Sequence, residues 1–414
     1  MVMRNMKIWV FVVILFWGGL IAACNSPAKQ MHEGLWRGVF ILPENEIPFT
    51  FEVKGKGSES NSVFLINGED RFELKKVSYS NDSVLIPIDL YDVILKGKVT
   101  ETTFYGNYLR RGANNKITSI PVKANFGALR RFTATNEAPA YSLEGSWDVV
   151  IISGNTSTNT VGNFTQKGSG LTGSILETSG DYRFFEGEVT GKKFFLSAFG
   201  GSSPYLIKGE FSNDSIFSGE FVTLRQTSKL EGKRNPKASL PDPYTVTHLK
   251  EGYSKIEFSF PNLEGKKVSL SDSQYQGKVV VVTILGSWCP NCLDENAFLS
   301  AWYKENHQRG VEIIGLGFER KDDFESAKIS LTTLKNRLGI PYEILFAGKS
   351  GTESASKALP ALNGISAFPT TIFIDKRGNV RKVHTGFSGP ATGKFHEEFK
   401  REFNELISQL IAEN

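Results

Sequence analysis

Lys278-Val279-Val280-Val281-Val282-Thr283-Ile284-Leu285, followed by Gly286-Ser287-Trp288-Cys289-Pro290-Asn291-Cys292, is the stretch from which the fold of the last part of this chain can be read. A nearly continuous β-branched, apolar run is what a strand buried on both faces of a sheet requires. Gly286-Ser287 ends the run, and Leu293-Asp294-Glu295-Asn296-Ala297-Phe298-Leu299 then has the composition of a helix. Pro290 falls in that helix's first turn, where a missing N–H is no loss. A buried strand feeding a helix that begins at Cys-x-x-Cys predicts an α/β domain with two thiols at a helix N-terminus.

That placement has chemical consequences. The thiolate is the attacking species in disulfide exchange, and a free thiol with pKa ~8.5 is mostly protonated at neutral pH. Unsatisfied backbone N–H groups and the dipole at a helix start favour a sulfur anion. Cys289, first in the motif, is expected to be the more exposed thiol and the nucleophile. Cys292, one turn on, is placed to resolve a mixed disulfide by attacking Cys289. Trp288 is expected to shield one side. Two structural alternatives compete. Half a zinc site needs two further ligands, and His307, His384 and His396 form no paired motif to supply them. A purely structural disulfide closing so short a loop would constrain little chain. No metal is expected, and no cofactor beyond the redox-active dithiol itself.

Downstream, Ile365-Ser366-Ala367-Phe368-Pro369-Thr370-Thr371-Ile372-Phe373-Ile374-Asp375 places a proline at the entry of an apolar strand, and Lys376-Arg377-Gly378-Asn379-Val380 turns into another. A proline at a strand's start is tolerated, and its peptide bond can be cis. From Ala391, the spacing of Phe395, Phe399, Phe403, Leu406 and Leu410 predicts a C-terminal amphipathic helix that serves packing. Gly386-Phe387-Ser388-Gly389-Pro390 is expected to be a plain turn, with a loop near the site as the alternative.

The chain has 414 residues, 40% of them hydrophobic and 12% aromatic, which excludes a disordered protein. Its net charge of +4 is too small to imply a nucleic-acid partner. Residues 1–23 have the form of an export signal: Arg4 and Lys7 open it, Ile8 to Leu20 is apolar, and Ile21-Ala22-Ala23-Cys24 closes it. Ile-Ala-Ala-Cys resembles the lipobox of bacterial lipoproteins, which implies a lipid anchor on Cys24 and a tether over 24–33. A chance cysteine in a secreted protein and an uncleaved anchor helix are the alternatives. The expected location is the cell envelope, lipid-anchored and facing the periplasm.

Between these ends lie short runs rich in Val, Ile, Thr and Phe, separated by turn residues, which predict antiparallel strands. Landmarks recur. Gly34-Leu35-Trp36 matches Gly145-Ser146-Trp147, and Asp70-Arg71-Phe72 resembles Asp181-Tyr182-Arg183-Phe184 with one inserted residue. Leu95-Lys96-Gly97 matches Ile207-Lys208-Gly209, and Phe104-Tyr105-Gly106 matches Phe217-Ser218-Gly219. Two antiparallel β units, each a barrel or sandwich, are expected over 34–140 and 141–234, with Trp36 and Trp147 as core plugs. A single larger β domain is the alternative. Pro236, Pro241 and Pro243 mark a linker over 235–250, and an α/β domain occupies 251–414. The β region carries no cluster with ligand spacing, and a spacer or docking module is its expected role.

Gly277-Lys278-Val279-Val280 through Trp288-Cys289-Pro290-Asn291-Cys292, with Phe368-Pro369-Thr370 downstream, resembles the TlpA-like, membrane-attached branch of the thioredoxin superfamily. The resemblance covers Phe258 to Leu410 and implies a thioredoxin-like α/β fold, a mixed sheet flanked by helices, with Pro369 cis against the dithiol. It implies reduction or exchange of protein disulfides outside the cytoplasm, in some members serving cytochrome complex assembly. The partners implied are disulfide-bearing envelope proteins and a membrane thiol-electron carrier. Trp288, Pro290, Asn291 and Phe368 would contact substrate. Glu295 sits where this branch has a glutamate for proton handling, with a solvated surface glutamate as the alternative. Thr283 stands where cytoplasmic thioredoxins have a buried aspartate, and Lys321 to Leu338 is expected to be an extra helix. A thiol peroxidase of the peroxiredoxin type is a second possibility, although Gly286 replaces the threonine three residues before that family's cysteine. A third is an envelope binding protein acting through the β units.

Overall fold

Alternation of apolar and polar residues builds the described part of residues 34–234 from antiparallel strands, interrupted by one short 3₁₀ turn at Asp89–Tyr91. The structure, a computed structural model, describes residues 28–55, 62–112, 116–127, 130–132 and 137–413. Cys24 and the segment 1–23 lie outside the described residues. Among the described residues, no helix is long and apolar enough to cross a membrane.

Two nine-stranded sheets follow one plan. In the first, the strand Gly34–Ile41 pairs with both Glu46–Lys54 and Ile117–Phe126, and the meander ends at the unjoined edges Asp70–Leu74 and Ser78–Ser80. In the second, Gly145–Ser153 likewise pairs with Thr156–Lys167 and Thr227–Arg234. Here Thr156–Lys167 also pairs with Gly170–Glu177, which in turn pairs with Phe185–Thr190. That extra pairing closes the ring. The first unit is therefore a half-barrel and the second a closed barrel.

The matching landmarks occupy matching places. Trp36 and Trp147 are fully buried, and each indole N–H donates to the carbonyl four residues earlier, of His32 and Leu143, both at 2.9 Å. Gly97 faces Gly106 across one strand pair, and Gly209 faces Gly219 across the other. A Cβ at Gly209 would lie 2.1 Å from the Phe194 ring, so the close approach of that ring requires glycine. Both interiors are filled by side chains; the first retains a void of about 10 Å³ among residues such as Met31, Phe49 and Leu65.

The half-barrel is completed by its neighbour. Phe199 of the barrel is buried with its ring 4.8 Å from Phe40, 5.2 Å from Phe49 and 6.2 Å from Tyr108. The Asn67 side chain clamps the Phe199 backbone, donating to its carbonyl and accepting from its N–H, both at 3.0 Å.

The C-terminal domain is a five-stranded mixed sheet with helices on it. Its elements are β1 (Val279–Leu285), α1 (Pro290–Asn306), β2 (Val311–Glu319), α2 (Phe324–Leu338), β3 (Glu343–Lys349), α3 (Thr352–Ala358), β4 (Thr370–Ile374), β5 (Val380–Thr385) and α4 (Lys394–Ala412). The strand order is β3-β2-β1-β4-β5, with β1, β2 and β3 parallel and β4 antiparallel to β1. Every residue of β1 is buried, as its sequence demands. The helix expected from Lys321 starts at Phe324, because Asp323 caps it by accepting from Ser326 N at 2.8 Å. In α4, Phe399, Phe403, Leu406, Ile407 and Leu410 are buried, whereas Phe395 turns to the barrel beside Val161, Leu176 and Ala238.

The segment expected as a linker is docked. Leu249 bridges Leu362, Pro243 O accepts from Thr385 N at 3.1 Å, and Thr247 is fully buried. Equivalent roles for the two tryptophans predict equivalent costs: Trp36→Ala and Trp147→Ala should each destabilise the β region by about 3–5 kcal/mol. Urea unfolding followed by tryptophan fluorescence checks this, and a change under 1 kcal/mol at either site would refute the core-plug role.

Candidate active site

The site forms where β1 hands the chain to α1. Gly286-Ser287-Trp288 makes the turn, and a Cβ on Gly286 would lie 2.4 Å from Trp288 Nε1, so glycine lets the indole fold back. That indole N–H donates to Phe318 O at 2.8 Å, at the end of β2. Glu319 fixes the turn from the same strand, accepting from both Ser287 N and Ser287 Oγ at 2.8 Å. Burial pushes the Glu319 carboxyl up to about 7, against those two hydrogen bonds.

Cys289 is the N-cap of α1, and its Sγ accepts from Cys292 N at 3.4 Å. This is the anion-stabilising geometry that the helix start supplies. Phe368 O receives the Cys289 thiol at 3.5 Å, and the Phe368–Pro369 bond is cis. Both cysteines are free thiols. Cys289 is the more exposed, but only at 6%, and Cys292 is at 0%. Burial drives the Cys292 thiol well above its ordinary range, and its hydrogen bond with Cys289 and that neighbour's charge add to the shift. Asn296 holds the first turn of α1, donating to Cys292 O at 2.7 Å and accepting from Tyr342 OH at 2.8 Å.

Glu295 is not a surface residue. It is fully buried beneath the thiols, and its carboxylate accepts from Thr283 Oγ1 at 2.5 Å and Thr371 Oγ1 at 2.6 Å. The two threonines are register partners on β1 and β4, so their hydroxyls point to one side of the sheet. Burial raises the Glu295 carboxyl to about 7, and the two hydroxyl bonds oppose the shift. Thr283 therefore does not simply lack an aspartate. It seats a carboxyl that arrives from the helix.

The other expected contacts gather as follows. The Trp288 and Phe368 rings are 5.5 Å apart, and Arg320 lies 5.9 Å over the indole. Pro290 and Asn291 are half-buried and line a cavity of about 160 Å³ that they share with Asn67, Asp70 and Arg183 of the β units. The turn expected at Gly386–Pro390 belongs to the site region, since Gly386 N donates to Pro369 O at 2.9 Å. Among the described residues, no group of three or more His, Cys, Asp or Glu side chains is placed to hold a metal ion.

The β region, expected as a spacer or docking module, lies against the redox domain. Both β units converge on the dithiol. Arg320 donates to Tyr91 O at 3.1 Å, and Leu90 and Asp92 share a cavity of about 170 Å³ with Trp288. From the barrel, Asp181 Oδ2 accepts from Gly389 N at 2.7 Å, and Arg183 pairs with Asp294 at 3.0 Å. Asp294, next to Glu295, also has its carboxyl raised to about 7, by burial that the Arg183 charge only partly offsets. Sequence reasoning gave no role in the site to Arg183, Asp294, Glu319 and Thr371, of which Arg183 alone stands in a recurring landmark.

Residues 252–383 match the AhpC/TSA family. The thiol-disulfide oxidoreductase ResA of Halalkalibacterium halodurans is 28% identical over 158 residues, spanning 38% of this chain and 76% of that protein. ResA of Bacillus subtilis is 28% identical over 138 residues, 33% of this chain and 69% of that one. Among solved structures, a thiol:disulfide interchange protein of the thioredoxin family from Chlorobium tepidum aligns at 20% identity, covering 39% of this chain and 99% of that one, with a TM-score of 0.30. A thiol-disulfide oxidoreductase from Bacteroides fragilis aligns at 23% identity over 37% and 99%, with a TM-score of 0.29. With a buried strand delivering two thiols to a helix start and a cis-proline against them, the C-terminal domain is thioredoxin-like and is that of a thiol–disulfide oxidoreductase similar to ResA.

Proposed function

We propose that this protein is an extracytoplasmic reductase of protein disulfides, held at a membrane by lipid on Cys24 and working through the Cys289–Cys292 dithiol. The observation that carries the reading is the pairing of an N-cap thiol with a fully buried resolving thiol and a buried carboxyl on the same helix. The Cys289 thiolate attacks one sulfur of a substrate disulfide, forming a mixed disulfide and expelling the other sulfur as a thiolate, which takes up a proton. The Cys292 thiol then loses its proton and attacks Cys289 Sγ, releasing the second substrate thiol. The substrate gains two electrons and two protons, and the protein is left with a Cys289–Cys292 disulfide. Reduced protein is regenerated by a dithiol carrier in the membrane, and the substrates are envelope proteins.

Glu295 fits the proton step. The buried Cys292 thiol is a weak acid, and a carboxyl titrating near 7 on the next helical turn is a matched acceptor. Pro369 closes the site over Cys289, and Trp288, Pro290, Asn291 and Phe368 form the surface a substrate disulfide meets. The AhpC/TSA match supports a thiol peroxidase as the second reading. Consumption of hydroperoxide by the reduced protein separates the two. An envelope binding protein acting through its β units is less well supported, because their interiors are filled with side chains.

Five outcomes test these assignments. Cys289→Ser should abolish insulin reduction, and Cys292→Ser should accumulate mixed disulfides visible on non-reducing gels; full turnover by Cys292→Ser would exclude the two-thiol mechanism. Glu295→Gln should slow resolution by about 10²-fold and remove the rise in rate that wild type shows as pH passes through about 7. The same variant has a stability signature. A carboxyl raised from 4.5 to about 7 in the fold loses stability as pH climbs through that window, so Glu295→Gln should gain roughly 3 kcal/mol relative to wild type at pH 8 and little at pH 4. Equilibration with glutathione or dithiothreitol buffers should give a potential near or below thioredoxin's, about −270 mV. A value close to −120 mV would make the protein an oxidant instead.

A further inference from the structure

The nucleophile of this site is covered. Cys289 is 6% exposed and does not line the cavities beside the motif, those about Trp288 and about Pro290-Asn291. A thiol in that position cannot align with the disulfide of a folded partner, because attack needs the sulfur to approach along the S–S axis. The β region packs on the residues beside it. The hairpin tip at Gly180 touches Asn291 so closely that a Cβ there would lie 1.9 Å from Asn291 Nδ2. Thr178 sits against Gly386, where a Cβ would be 2.3 Å from Thr178 O.

One residue ties these contacts together. Arg183 stands in the left-handed region at φ 62, an unusual place for a side chain of its size, in a turn held by Asp181 Oδ1 accepting from Arg183 N at 2.6 Å. Its guanidinium meets Asp294 of α1 at 3.0 Å and approaches Asp70 of the half-barrel to 3.9 Å. Three bodies thus share one cation: half-barrel, barrel and redox domain. The junction is incompletely satisfied. Arg183 Nε and Nη1 are buried without a hydrogen-bond partner, and so is the Tyr91 hydroxyl. Groups in that state recover hydration when the surfaces part, which weakens the closed arrangement relative to a fully paired one. The neighbouring seam is loose as well, with a cleft of about 620 Å³ between the barrel, the segment Ser239–Tyr244 and α4. The chain crosses from the β region to the redox domain only once, through that segment.

We propose that the β units are a gate over the dithiol and that Arg183, through its contacts with Asp294 and Asp70, holds the gate shut. Small disulfides and thiol reagents reach Cys289 through brief local openings, whereas a protein disulfide must displace the Gly180–Arg183 tip. Arg183 is a positioning residue here, acting on access rather than on sulfur. The proposal rests on Cys289 being the attacking thiol.

The test is size-selective labelling of reduced full-length protein in detergent, with N-ethylmaleimide and with the same maleimide carried on a polyethylene glycol chain. Modification of Cys289 is followed by peptide mapping, with Cys292 as the internal control. In wild type the bulky reagent should lag far behind the small one. Arg183→Met and Asp294→Asn should each raise the bulky-to-small rate ratio at Cys289 by about tenfold while Cys292 stays protected. Arg183→Lys should restore part of the discrimination. Gly180→Ala, which wedges a Cβ against Asn291 without removing a charge, should act in the same direction and carries the test if Arg183→Met does not fold. Equal ratios in wild type and all variants would overturn the gate. So would Cys292 labelling in step with Cys289, since that reports loosening of the whole domain. Failure of every protein, wild type included, to reduce insulin would count against the reductase reading and leave the labelling ratios to decide the gate.

Discussion

The arrangement of this molecule depends on the seating of Phe199 in the half-barrel. A nine-stranded meander whose edge strands do not meet leaves apolar interior and unpaired backbone facing outward, and such a surface must be covered. The second unit closes on itself and has no such need, so it can supply the cover. Phe199 lies among Phe40, Phe49 and Tyr108, and Asn67 takes both backbone groups of Phe199. Two units from one plan therefore become a closed and an open form fitted together. Their joint orientation follows from that fit, and it brings Asp70 of one and Arg183 of the other to one point, over α1.

At that point the redox domain meets a second constraint. Its thiols lie where α1 begins, so anything docked on the N-terminal end of α1 is docked on the chemistry. Three carboxyls, Asp294, Glu295 and Glu319, are buried around the motif, each pushed up to about 7 by burial. They are not equivalent. Glu319 is spent on the Ser287 turn and Asp294 on Arg183, while Glu295 is held only by two threonine hydroxyls, which can donate to it in either protonation state. That leaves Glu295 as the one of the three free to exchange a proton without breaking a structural tie.

Much of this was legible in the chain. The run from Val279 to Leu285 could only be a strand buried on both faces, and Cys-Pro-Asn-Cys after it could only start a helix. The tryptophans at 36 and 147 announced matching strands, because a motif repeated in order constrains topology whatever the intervening sequence. What was not legible depends on contacts between bodies. The Gly386–Pro390 segment has the composition of any turn, and only its hydrogen bonds to Pro369 and Asp181 bring it to the site. Glu295 gave a helix-face pattern compatible with solvent; its burial follows from the register that sets Thr283 against Thr371. Arg183 did leave a trace. The inserted residue that separates Asp181-Tyr182-Arg183-Phe184 from Asp70-Arg71-Phe72 falls in the turn that reaches the dithiol, so the two copies differ where they stop being equivalent.

A thiol that reduces disulfides has two opposed requirements. It must be reactive towards a partner, which favours an anion at a helix start, and it must be protected from unproductive oxidation, which favours burial. A lone redox domain can meet both only by compromise, since lowering exposure of Cys289 also slows its proper reaction. Placing the cover on separate bodies removes the conflict. The helix start can stay fully tuned for reactivity, and access is set independently by a contact elsewhere in the chain. Such a contact must be strong enough to hold three surfaces together and weak enough to yield. A single shared guanidinium with two unpartnered nitrogens meets that description better than an apolar seam, whose stabilisation grows with area and would resist every partner alike. The charge at Arg183 also gives the cover a chemical preference that packing lacks. If the proposed gate opens for a partner, one that offers Arg183 a carboxylate in place of Asp294 would lower the cost of opening.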